Sequence, residues 1–229
     1  MKRRIITFGR YFGEFMDGLT IKEREKVDYG LVLLKTQDRL PTKFVKHIRE
    51  GLYELRTEYN GNIYRVFFIF DEEKIVVLFN GFQKKTQKTP TSQIAKALKI
   101  RRNIMNTRET MIQDYDDVLD ARYGQEGTPE RIKFEEEAYA YYTGLILRDA
   151  RKDAKVSQAE LARRTQTTKS YISRIENGVI IPSVAVFYRM VAALGMAVEI
   201  VRPPVCGYEY RPQAKYLSEP EQAPYGKNK

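Results

Sequence analysis

The chain has 229 residues, 42% of them hydrophobic, which is enough for the packed cores of two small domains. A single cysteine, Cys206, and a single histidine, His47, argue against a disulfide framework, a zinc cluster and a Ser–His or Cys–His triad. No apolar run approaches the roughly 20 residues of a membrane span, so the expectation is a cytoplasmic protein with no metal, no cofactor and no membrane partner. The net charge of +10 sits in residues 1–104, where 22 Lys/Arg face 12 Asp/Glu, whereas residues 105–229 hold 18 of each. That asymmetry points the first half towards a polyanion; the bland alternative is a soluble basic surface.

In chain order, residues 3–8 read as a short strand. Residues 20–36 read as a helix, with Val27, Leu31 and Leu34 at helical spacing. Residues 42–51 (TKFVKHIREG) read as a further helix with His47 on its surface, the alternative being a catalytic role for His47. Asn60-Gly61 is a strong hairpin signal, and Asp71–Lys74 the next turn, which predicts antiparallel strands near 52–59, 62–70 and 75–83. Residues 90–104 close this half as a helix, and 105–113 read as a linker. Residues 112–137 carry nine acidic and three basic residues. Thr128-Pro129 is a helix start, with the helix running to about Lys155. Short helices follow to Leu194, then a strand at MAVEIV (196–201). Residues 203–229 hold five of the nine prolines and read as a disordered tail.

The hairpin fixes a register. Tyr59 faces Asn62, Thr57 faces Tyr64, Leu55 faces Val66 and Tyr53 faces Phe68, an apolar face that belongs in the core. The other face sets Arg56 opposite Arg65, and like charges in a cross-strand pair are unfavourable. With a turn at Glu72-Glu73, Arg65 also faces Asn80, and Phe82 and Lys84 continue that side. The expectation is a cationic patch of Arg56, Arg65 and Lys84, extended by Lys85 and Lys88, which suits a phosphate. The alternative is that Glu54 and Glu58 neutralise Arg56.

The segments GLYELR, YRVFFIF and VVLFNGFQKKTQKTP resemble the HigB branch of the RelE/ParE toxin superfamily, in its phage-derived group, over roughly residues 1–104. The resemblance implies a compact domain that cleaves mRNA on the ribosome without metal, through the 2′-hydroxyl. Arg56 and Arg65 would hold the phosphate, and Lys84 and Lys85 would stabilise charge or move protons. Phe82, Asn80 and Lys88 would contact RNA. The ParE branch acts on DNA gyrase instead, which leaves a second possibility open.

Residues 157–178 read SQAELARRTQTTKSYISRIENG. Small and apolar residues at Ala159, Leu161 and Ala162 suit a close helix crossing, and Ile172 and Ile175 share one face of the next helix. Its outer face offers Thr168, Lys169, Ser170, Tyr171, Ser173 and Arg174 to phosphates and base edges, with Gln158 at a helix start for a phosphate. The pattern of Gln158, Leu161, Ala162, Ser170, Ser173, Glu176, Gly178, Pro182 and Ser183 resembles the XRE-type helix-turn-helix. It departs from that type at the turn, where Gln166 stands in place of a glycine.

The resulting expectation is an α+β chain: a small antiparallel-sheet domain (1–104), a linker and acidic segment (105–137), an all-α helix-turn-helix domain of HigA type (138–202) and the tail (203–229). The resemblances imply a toxin and its antitoxin in one polypeptide. The partners would be mRNA on the ribosome and operator DNA. Toxin–antitoxin contact would lie within or between chains, and the C-terminal domain would form a homodimer. The acidic segment, with a net charge of −6 over residues 112–137, is expected to cover the basic site as an RNA mimic, against the alternative of a solvated helix face.

Overall fold

The structure is a computed structural model that describes residues 3–37, 40–71, 75–84, 89–104 and 112–199. Its first half is built on a six-stranded sheet. The strands are β1 (Arg4–Phe8), β2 (Val45–Arg49), β3 (Leu52–Tyr59), β4 (Asn62–Asp71), β5 (Ile75–Lys84) and β6 (Ile112–Asp114), in the order β2-β3-β4-β5-β1-β6. All neighbouring pairs are antiparallel except β1 and β5, which are parallel. Helices α1 (Tyr11–Asp17) and α2 (Ile21–Thr36) lie between β1 and β2, and α3 (Thr91–Ile104) follows β5. The second half is helical: α4 (Asp116–Tyr123), α5 (Pro129–Asp153), α6 (Gln158–Thr165), α7 (Lys169–Glu176) and α8 (Val184–Ala193). Among the described residues, no helix is long and apolar enough to cross a membrane.

Alternation along the strands splits the apolar residues of the sheet between two cores. Leu55, Tyr64, Val66, Phe68 and Leu78 face α2. Leu52, Phe67 and Phe79 face α3, against Ala97, Leu98 and Ile100. Helix α2 starts at a capping box in which Thr20 and Glu23 exchange hydrogen bonds. The β3–β4 turn places Asn60 and Gly61 at φ 48° and 77°, and the register from Tyr53↔Phe68 to Tyr59↔Asn62 is the one the hairpin signal predicts.

Four expectations are corrected. His47 lies on strand β2, not on a helix: Glu50 and Gly51, at φ 53° and 71°, turn the chain so that Val45–Arg49 pairs with β3. Residues 112–114 are not linker but strand β6 on the edge of β1. A bulge in the β4–β5 ladder sets Phe67 against both Phe79 and Asn80, because Val66 pairs with Gly81 and Phe68 with Leu78. Arg65 therefore meets Phe82 rather than Asn80. Finally, residues 196–199 carry no regular structure, so no strand begins at MAVEIV; the rest of that segment and the 203–229 tail lie outside the described residues.

The acidic segment does not sit over the cationic patch. Tyr115, Leu119, Phe134, Ala138, Tyr141 and Leu145 bury themselves in the α2-side core, on the opposite face of the sheet from α3. Three of its carboxylates are paired with cations: Asp114 with Arg4 at 2.8 Å, Asp116 with Lys35 at 2.8 Å, and Asp120 with Arg131 at 2.9 Å. Apolar packing at i, i+4 spacing, rather than charge, sets where the segment docks.

The N-terminal part of α5 packs on α2, and its C-terminal part packs on α7, so one helix belongs to both halves. Leu147 lies in the core of the helix-turn-helix with Leu161, Ile172, Ile175 and Met190.

Candidate nucleic-acid interfaces

On the α3 side of the sheet, strands β3 and β4 do place Arg56 opposite Arg65. Glu54 lies between them. Arg65 Nη1 donates to both Glu54 carboxylate oxygens at 2.6 Å, and Arg56 Nε donates to Glu54 Oε1 at 3.3 Å. The Thr89 hydroxyl, just ahead of α3, donates to Glu54 Oε2 at 2.9 Å and accepts from Arg65. Glu54 is 0% exposed and Arg65 only 1%. This resolves the like-charge pair: a buried carboxylate accepts from both guanidinium groups. Two nitrogens of Arg65, Nε and Nη2, find no partner among the described residues, nor does Oδ1 of Asn80, whose amide nitrogen donates to Gln93 of α3 at 3.2 Å. Glu58 does not join the group; it accepts from Arg148 of α5 at 3.0 Å.

The predicted residues thus divide. Arg56 is half-buried at the surface, whereas Arg65 and Asn80 are enclosed. Phe82 packs its ring on Phe67, with centroids 5.6 Å apart, and remains half-buried. Lys84 pairs in register with Ile63 at the hairpin end of the sheet. Lys85 and Lys88 lie outside the described residues. His47 packs edge-on against Tyr53 at 5.1 Å.

On the α2 side a second buried carboxylate, Asp28, receives the hydroxyls of Tyr115 and Tyr123 at 2.8 Å each and Arg122 Nη1 at 3.0 Å. All three donors come from the acidic segment. Burial raises the Asp28 pKa, and these hydrogen bonds pull against that rise. Tyr141 of α5 spans the backbone of Glu58: its hydroxyl accepts from the Glu58 N–H at 3.0 Å and donates to the Glu58 carbonyl. Strand β2 pairs with β3 only as far as Leu55, so this contact closes an edge that would otherwise be bare. Neither contact was foreseen from sequence; the signal lay in the apolar spacing 134, 138, 141, 145 beneath the acidic composition.

In the second half, Ser157, Thr168 and Ser183 cap α6, α7 and α8 by accepting from the backbone three residues on. The turn between α6 and α7 puts Gln166 in the left-handed region at φ 54°, ψ 45°, where a glycine is usual in this motif. Thr168, Lys169, Ser170 and Arg174 are exposed along α7, with Tyr171 and Ser173 half-buried. Gln158 is engaged: its amide donates to Glu176 at 2.9 Å. Glu176 also accepts two hydrogen bonds from Arg151 of α5, at 2.5 and 2.8 Å. Arg163 and then Arg164 hold the Glu160 carboxyl down at about 2.

Two halves of this kind, an antiparallel-dominated α+β sheet domain and a helix-turn-helix, define a two-part chain whose second part is a DNA-binding module. Residues 14–102 match the family described as phage-derived Gp49-like protein, and residues 147–201 match the helix-turn-helix family. The chain therefore carries a Gp49-like domain followed by a helix-turn-helix domain. No curated protein matches it.

Proposed function

We propose that this chain is a toxin–antitoxin protein of HigB/HigA kind held in one polypeptide. The first half cleaves mRNA on the ribosome by attack of a 2′-hydroxyl on its neighbouring phosphate, leaving a cyclic phosphate. The second half binds operator DNA and represses its own gene, as a homodimer. The observation that carries the reading is the union, in one chain, of a Gp49-like domain with a helix-turn-helix whose α7 exposes Lys169, Ser170 and Arg174.

At the cleavage site, Arg56 and Lys84 contact the phosphate, and Lys85 and Lys88 extend the charge. Phe82 stacks a base. Arg65, tied to Glu54, positions the strand end rather than meeting solvent. Cleavage by an internal nucleophile needs an oriented phosphate, charge stabilisation and a proton carrier, which these residue types supply. On α7, Lys169, Ser170, Ser173 and Arg174 reach phosphates and base edges.

The test is expression of the full chain beside Arg56→Ala/Lys84→Ala, with mRNA 5′ ends mapped in both. Ends that appear with the full chain and vanish in the double variant are expected. A second reading, a repressor with a silent toxin-like domain, is favoured by the enclosure of Arg65. It becomes the conclusion if the full chain makes no new ends yet protects its own promoter from nuclease digestion. Relaxed plasmid with intact mRNA would place the first half with gyrase inhibitors instead.

A further inference from the structure

Helix α3 carries Lys96, Lys99, Arg101 and Arg102 and not one acidic residue. Ala97, Leu98 and Ile100 are buried against the sheet, so the rotation of the helix about its axis is settled by packing. Lys96, Lys99 and Arg102 then share the outer arc, all exposed, while Arg101 turns inward and donates to the Glu50 carbonyl. Each step of three residues advances about 4.5 Å and turns back about 60°, so the three cations form a gently winding row about 9 Å long.

Some outer helical cations of the chain have acidic partners, whereas Lys169 and Arg174 of α7, like those of α3, have none among the described residues. On α5, Lys133 lies 4.0 Å from Glu137, and on α6 Glu160 holds both Arg163 and Arg164. The three cations of α3 have no acidic partner among the described residues. Like charges at this spacing cost a helix stability. The helix dipole excuses Arg102 in the last turn, but not Lys96 and Lys99 in the middle. At its N-terminal end the same helix reaches the enclosed polar cluster, through Gln93 on Asn80 and through Thr89 on Glu54 and Arg65. The acidic segment, which could have neutralised such a row, packs on the other face of the sheet.

We propose that the outer face of α3 is a backbone track for single-stranded RNA, with Lys96, Lys99 and Arg102 each holding a phosphate and the strand led towards Arg56. It rests on the reading of the first half as an RNA-cleaving domain, and adds a binding surface that works whether or not cleavage occurs. It also implies that RNA reaches the full chain without displacement of α4 or α5, which cover the opposite face.

The test uses the full chain and a short unstructured RNA whose sugars are 2′-O-methylated, so that it binds without being cut. Affinity is measured against salt concentration for three proteins: the parent, Lys96→Gln/Lys99→Gln/Arg102→Gln, and Lys169→Gln/Arg174→Gln. Three lost phosphate contacts should lower the slope of log K against log salt by about 2 and weaken binding roughly a hundredfold at 0.1 M salt. The α7 variant should keep the parent's RNA slope. An unchanged slope in the α3 variant overturns the proposal, as does a greater loss on duplex DNA than on RNA. Mapped mRNA ends report separately on cleavage: a lowered slope with no cleavage upholds the track and removes the nuclease, and cleavage with an unchanged slope does the reverse.

Discussion

Glu54 and Asp28 are both 0% exposed, and each organises one face of the same sheet. Glu54 is the acceptor that lets two arginines stand opposite each other. Its replacement in Glu54→Ala strands the Arg65 guanidinium in a buried site, and loss of about 3 kcal/mol of stability is expected in urea titration. Arg56→Ala, by contrast, removes a cation with a third of its side chain in solvent and should cost under about 1 kcal/mol. Asp28 brings a dependence on pH. Burial raises its pKa above the ordinary 3.8, so the folded chain holds that proton more tightly than the unfolded chain. The stability this group contributes is complete below the ordinary value and declines as pH rises through the folded value. Asp28→Asn lacks that titration. The stability difference between parent and variant should therefore shrink as pH rises above 3.8, measured by thermal unfolding across a pH series. A difference that grows with pH would mean that Arg122 and the two tyrosines outweigh burial.

Helix α5 meets α7 closely at one glycine. A Cβ on Gly144 would run into the Ile175 carbonyl oxygen and the Glu176 backbone, whereas a Cβ on Gly13 of α1 meets nothing within 4 Å. Gly144→Ala should destabilise by about 1–3 kcal/mol through overpacking. Gly13→Ala should stabilise by up to about 1 kcal/mol, because alanine is the better helix former; opposite signs in the same urea assay check the pair. At this scale much was legible beforehand. The β3–β4 register followed from Asn60-Gly61, the α5 start from Thr128-Pro129, and the strained turn from Gln166 where a glycine is usual. The β4–β5 register was not legible, since a bulge at Phe79-Asn80 adds a residue that alternation cannot reveal. Strand β2 was missed because Glu50-Gly51 is a weaker turn signal than Asn-Gly. The Glu54–Arg65–Thr89 cluster depends on α3 closing over the sheet end, a tertiary event that spacing along one strand does not encode. The acidic composition of 112–137 drew attention to charge, while the residues that decide its position are the apolar ones beneath.

Across the whole molecule, the two halves are held together by a shared core rather than by attraction between a basic and an acidic surface. A protease site placed between residues 104 and 112 distinguishes these. After cleavage the two pieces should co-elute in gel filtration even in 1 M salt, where the screening length falls to about 3 Å. Separation at high salt would show that surface charge holds them. The shared helix also sets an order of events in synthesis. Everything that forms the sheet as far as β5, together with α3, is made before α5, whose last residue, Asp153, comes 49 positions after Ile104. At roughly 5–20 residues per second that interval lasts about 2 to 10 seconds. During it the α2 face and the Glu58 edge await Tyr141, Phe134 and their neighbours, while the chain is still attached to a ribosome. Each new molecule thus passes once through a stage in which the α2 face is uncovered, and leaves it when α5 folds down.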